Sequence, residues 1–166
     1  TTPVTAQVQQ SRYLPLGSSG SSEQTWTLPV CLATDDEHYC QVINTPSATL
    51  ELGETQCPTA VHPNPHGAYY RFNMSNEAWR SLITHVPELS SQEALTMVDS
   101  LDAALRSGDL EAGIWLAGIS ALAQHSNADV VELAATKFAA TAKVLPPQNG
   151  SVLAAQYSRN LFQPIL

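Results

Sequence analysis

The chain has 166 residues, 43% of them hydrophobic, and a formal net charge of -8 at pH 7. That length can bury one full core or two modest ones, and the composition is that of a folded domain rather than a disordered acidic tail. The negative balance argues against nucleic acid, which needs a basic face, and against an anionic membrane surface. No apolar run is long enough to insert into a bilayer as a helix. There is no signal peptide and no initiator Met, so the chain reads as a piece cut from a longer protein.

The first half carries strand-like patterning, with short runs rich in Val, Thr and Tyr broken by Pro, Gly and Asp. Strands are expected over Ala6–Leu14, Gln24–Thr34, His38–Ile43, Ala48–Leu52, Thr59–His62 and Ala68–Met74. Gly17–Ser22 reads as an exposed hairpin loop between the first two. Six strands without an intervening helix suggest a small antiparallel β-sandwich occupying residues 1–74.

From Ser75 the period becomes helical, and residues 75–166 are expected to form the N-terminal part of an α-helical superhelical domain. Trp79, Leu82, Ile83 and Val86 share one face of a first helix that Pro87 ends. Ser90 and Glu93 can exchange hydrogen bonds in a capping box. A stripe of Ala94, Met97, Val98, Leu101 and Leu105 follows, closed by Gly108, with Asp109 placed to cap the next helix. That helix, Leu110–Gln124, spreads its apolar residues over more than one face. A fourth spans Ala128–Leu145, stopped by Pro146-Pro147, and a fifth begins after Asn149-Gly150 and runs towards Phe162, with Pro164 beyond. Helices of this length joined by short turns suggest antiparallel pairs of a truncated α-solenoid.

Residues able to carry chemistry are few. There is no H-E-x-x-H, G-x-S-x-G, phosphate-binding loop or dinucleotide fingerprint. A metal could be sought at Cys57, His62 and His66, with Cys31 and Cys40 nearby. Pro63 and Pro65, however, exclude the helix that would align the two imidazoles, and a Pro-rich turn is the simpler reading. No catalytic residue and no metal ligand set is therefore assigned. A hairpin around Asp35-Asp36-Glu37 sets Cys31 opposite Cys40, at about 4.5 Å between Cα atoms if the pair is not hydrogen-bonded. The two are read either as a disulfide or as two small buried thiols, with Cys57 unpaired or competing. Two N-x-S/T sequons, at Asn73 and Asn149, match by composition alone. Trp26, Trp79 and Trp115 are expected in cores. Asp99, Asp102, Asp109 and Glu111 read as a solvated helix face with a cap at Asp109.

Gly67-Ala68-Tyr69-Tyr70-Arg71-Phe72, followed by Trp79-Arg80-Ser81-Leu82, resembles a junction in the aminopeptidase N family of zinc metallopeptidases. There a G-x-Y-Y-R strand precedes a helix with a W-x-x-L core. Ser11-Arg12-Tyr13 and Trp26-Thr27-Leu28-Pro29-Val30 look like two strands of that family's third domain. Met97-Val98-Asp99 through Gly108 looks like its L-x-D-D-x-x-x-L-x-x-x-G helix. Cys31, Cys40 and Cys57-Pro58, with Pro63-Asn64, are similar to a bacterial branch.

The resemblance implies the third, β-sandwich domain and the start of the fourth, helical domain of such an enzyme. Gly67, Tyr70, Arg71 and Trp79 would form the domain junction. The family's zinc site, its G-x-M-E-N loop and its transition-state Tyr have no counterpart here, so the implied zinc belongs to a catalytic domain elsewhere in the same chain. The expected role is a non-catalytic scaffold and active-site cover for an enzyme that removes N-terminal residues from peptides. That enzyme would be exported, to the periplasm or outside the cell. The alternative is a β-sandwich binding module for a protein or glycan, with a helical extension.

Overall fold

A computed structural model describes residues 3–35, 37–53, 56–144 and 150–162. Among them the strands are β1 (Thr5–Gln9), β2 (Leu28–Ala33), β3 (His38–Ile43) and β4 (Ser47–Glu51). The helices are α1 (Asn76–Thr84), α2 (Ser91–Ser107), α3 (Ala112–Leu122), α4 (Ala128–Ala142) and α5 (Gly150–Phe162), with a single 3-10 turn at Val86–Glu88. No helix among the described residues is long and apolar enough to cross a membrane.

The β-sandwich expected over residues 1–74 is not formed. The strands make two separate antiparallel ribbons, β1 with β4 and β2 with β3. Their inward residues, Val30, Leu32, Ile43, Leu50 and Leu52, meet in one small apolar cluster. Of the expected strands, Ala6–Leu14 is shortened and two are not formed, for identifiable reasons. β1 stops at Gln9 because the next residue opposite is Pro46, whose carbonyl accepts the Gln10 N–H but which has no N–H to return, and the Gln10 side chain bonds elsewhere. Its amide donates to the carbonyls of Trp26 and Thr45 and accepts the Trp26 N–H. The chain then runs as a long loop to Leu28, so Gly17–Ser22 does not join two paired strands. Thr59–His62 contributes one bridge only, His62 opposite Ala33, because Pro58, Pro63 and Pro65 remove the donors a ladder needs. Ala68–Met74 is not a strand because side chains satisfy its backbone: Asn64 Nδ2 donates to the carbonyls of Ala68 and Tyr70, and Ser100 Oγ accepts from Phe72 N–H.

The helical half rests on clear local signals. Ser75 Oγ accepts from Ala78 N–H at the start of α1, and Ser90 and Glu93 complete a capping box on α2. Gly108 ends α2 at φ +84°, a left-handed turn that favours glycine. α3 is capped differently from expectation. Its N-cap is Glu111, without a side-chain cap bond, while Asp109 N–H returns to Ala104 C=O to close α2. Asn127 Oδ1 accepts from Asp129 and Val130 N–H to open α4, which ends at Ala142. The proline stop at 146–147, the sequon at Asn149 and Pro164 lie outside the described residues.

The helices share one continuous core, in place of the repeating pairs of an α-solenoid. α2 packs against α3 and α4, α1 against α3, and α5 against α4. Twenty buried residues form this cluster, against five in the strand cluster. At about 1.5–3 kcal/mol for each large side chain buried, the helical cluster dominates the stability of the chain. Trp79 and Trp115 belong to it, whereas Trp26 is 38% exposed, contrary to its expected place in a core.

Candidate functional site

Gly67, Tyr70, Arg71 and Phe72, part of the motif that carries the resemblance, lie where the segment from His62 to Asn73 runs along α2. Gly67 turns the chain at φ +66°. The Tyr70 hydroxyl donates to Pro63 C=O at 2.6 Å and accepts the Cys31 N–H of β2 at 3.4 Å. One side chain thereby closes its own loop and covers the free edge of a strand. Burial pushes the Tyr70 phenol upward, so it stays protonated and able to donate. Phe72 and Trp79 stack with ring centroids 5.2 Å apart, and Trp79 Nε1 donates to Asn73 Oδ1. The first sequon therefore sits at a bonded asparagine, followed by the cap residue Ser75.

Arg71 reaches α2. Its Nε donates to Asp99 Oδ2 at 2.6 Å, and its guanidinium lies over the Tyr13 ring at 5.2 Å. The hydrogen bond to Asp99 holds the Arg71 pKa above its ordinary value. Burial works to raise the Asp99 pKa, but hydrogen bonds from Arg71 and Lys137 outweigh it and hold the carboxyl below its usual value. Asp102, 4% exposed, pairs with Arg106 and Lys137. Glu111 accepts from Asn76 and faces Arg80. Asp99 and Asp102 are thus tied to basic side chains of other elements, Asp102 in the interior. The solvated face that the spacing suggested is kept at Asp109 and Glu111, which are exposed, and not at Asp102.

Deeper in the same contact, His62 is 3% exposed and uses both ring nitrogens. Nδ1 accepts Asn64 N–H and Nε2 contacts Glu93 C=O at 3.0 Å, which selects the Nε2–H tautomer. Burial lowers its pKa, against the smaller opposing effects of Glu93.

An open groove of about 340 Å³ runs between residues 68–71 and α2, beside a fully exposed Tyr69. Arg71 and Asp99 neutralise each other there, and the groove lining contains no nucleophile–base pair. The metal set sought at Cys57, His62 and His66 does not converge. Both nitrogens of His62 are engaged, and Cys57 is an exposed free thiol. Cys31 and Cys40 pair directly across β2 and β3, with Cα atoms 4.1 Å apart, and are joined by a disulfide. His66 stands beside them, its ring nitrogen and both sulfurs lying within 4.8 Å of one another. No spacing rule places His66 at the bridge, because the loop between them is irregular.

No protein-family model matches the chain, and no curated protein matches it in sequence.

Proposed function

We propose that the chain is a non-catalytic scaffold within a zinc aminopeptidase of the family it resembles, holding a strand unit against a helical unit beside the catalytic domain. The observation that carries this reading is the use made of Tyr70 and Arg71. Both side chains of the most specific motif are spent on joining: Tyr70 ties the 63–70 loop to β2, and Arg71 ties that loop to α2. Neither offers a free reactive group. The donors present do not fit a catalytic zinc of that family, so zinc and the transition-state machinery are assigned to another part of the parent, where peptide substrates would bind. The Cys31–Cys40 bridge supports an exported parent, since disulfides persist in oxidising compartments.

The decisive experiment reads the coding sequence on the N-terminal side of this segment and assays the full-length protein on aminoacyl anilides. The expected result is an H-E-x-x-H motif and hydrolysis of N-terminal residues, with Arg71→Ala lowering kcat/KM several-fold at unchanged zinc content. A run of strand modules or an anchor there, with no hydrolysis, would replace this reading by a binding module. The exposed Tyr69 beside an open groove is the feature that would serve such a module.

A further inference from the structure

We infer that the reduced chain holds a zinc-class divalent cation between Cys31, Cys40 and His66, and that this site and the disulfide exclude one another. Thiolates and imidazole are the ligands that borderline-soft cations select. Four-coordinate zinc, with bonds of about 2.0–2.3 Å, sets its ligand atoms about 3.3–3.8 Å apart. The two sulfurs and the His66 nitrogen already lie within 4.8 Å of one another. Once the S–S bond opens, small side-chain rotations are enough to reach a common ion.

The backbone positions of all three ligands are fixed independently of the bridge. Cys31 and Cys40 are set opposite by the β2–β3 register, which extends from Leu28 opposite Ile43 to Ala33 opposite His38. His66 sits in a loop braced by Asn64, whose Oδ1 accepts Ala68 N–H and whose Nδ2 holds the carbonyls of Ala68 and Tyr70. The Tyr70 hydroxyl then fastens this loop to the backbone of Cys31 itself. The third ligand therefore stays in place when the bridge opens. The His38 ring, edge-on at 5.1 Å, limits the swing of the His66 imidazole. Cys40 and His66 are exposed, so reductant and metal can both arrive, and water can take a fourth position.

The chemistry balances. A small dithiol supplies two electrons and two protons to the Cys31–Cys40 bond and leaves as its own cyclic disulfide, giving two thiols. The cation then displaces both thiol protons to solvent, forming two metal–sulfur bonds and one bond to neutral His66. Bound metal ties up the sulfurs that oxidation needs, and the bridge removes the sulfurs that the metal needs. This site is separate from the catalytic zinc assigned above to another domain, and it stands or falls apart from that reading.

The test uses the 166-residue chain with Cys57→Ser, so that only two thiols remain. It is reduced with dithiothreitol, desalted without oxygen and titrated with Co²⁺. One Co²⁺ per chain is expected, with near-ultraviolet thiolate-to-cobalt absorption and the strong visible bands of a tetrahedral site, both abolished by added Zn²⁺. The oxidised chain should show neither. His66→Ala and His66→Gln should each weaken Co²⁺ binding about tenfold or more, with circular dichroism unchanged. Absence of the thiolate–cobalt band in the reduced chain would overturn the site. So would an affinity indifferent to both His66 variants, or loss of the folded circular-dichroism signal on reduction.

Discussion

Tyr70 and Trp79 both hold the junction but contribute in different ways. Trp79 is wholly buried and stacked on Phe72. Trp79→Ala removes both its apolar surface and that contact, and should cost about 3–5 kcal/mol in a denaturant titration. An unchanged midpoint would show that the helical cluster closes without it. Tyr70→Phe keeps the ring and deletes one oxygen, leaving Pro63 C=O and Cys31 N–H unpaired, so a loss of about 1–2 kcal/mol is expected. Arg71→Ala should change stability far less. Its ion pair with Asp99 is half exposed, and such pairs contribute about 0–1 kcal/mol.

Among the elements, the contact of α2 with α3 leaves no room for added volume. Gly118 faces α2, where a Cβ would come 2.5 Å from Leu101 Cδ2. Gly118→Ala gains about 1 kcal/mol of helix propensity, but overpacking a full core costs about 1–3 kcal/mol. A net loss is expected by chemical denaturation, and a more stable variant would mean that Leu101 can turn away. The same elements show why the helices were legible in the sequence and the sandwich was not. The Ser90–Glu93 capping box and Gly108 are local signals, each acting within a few residues. The strand half depends on side chains reaching far along the chain: Gln10 to Thr45, Tyr70 to Cys31, Ser100 to Phe72. A β-rich composition in Ala68–Met74 cannot reveal that an asparagine and a serine already satisfy its backbone. The convergence of His66 on the bridge was hidden for the same reason. Facing of Cys31 and Cys40 needed only the hairpin register, a period-two property of adjacent strands. Unreduced, denatured protein should titrate one thiol, at Cys57. Cys31→Ser/Cys40→Ser should lose about 2–3 kcal/mol, the value for a loop of this size; three titratable thiols in protein kept oxidised would contradict the bridge.

For the molecule as a whole, His62 links stability to pH. Burial lowers its pKa below the ordinary 6.5, so in the window just under that value the unfolded chain binds the extra proton. Stability is complete above about pH 6.5 and is lost as pH falls from there towards the folded value. The added proton must go to Nδ1, the atom that accepts Asn64 N–H. Thermal unfolding between pH 5 and 7 should show Tm rising with pH in the native chain and a flatter profile in His62→Gln; equal slopes would assign the dependence to other groups. The bond from His62 to Glu93 C=O also belongs to a larger pattern. Near its start, α2 receives His62 and the Thr96–Asn64 bond. At its far end, Arg106 C=O accepts Leu16 N–H from the long loop after β1. A helix of 17 residues is about 25 Å long. Gripped at both ends by the strand half, it behaves as a strut with two bolts. Rotation about either attachment must first break the other, so the two halves turn together as one lever, with no hinge between them.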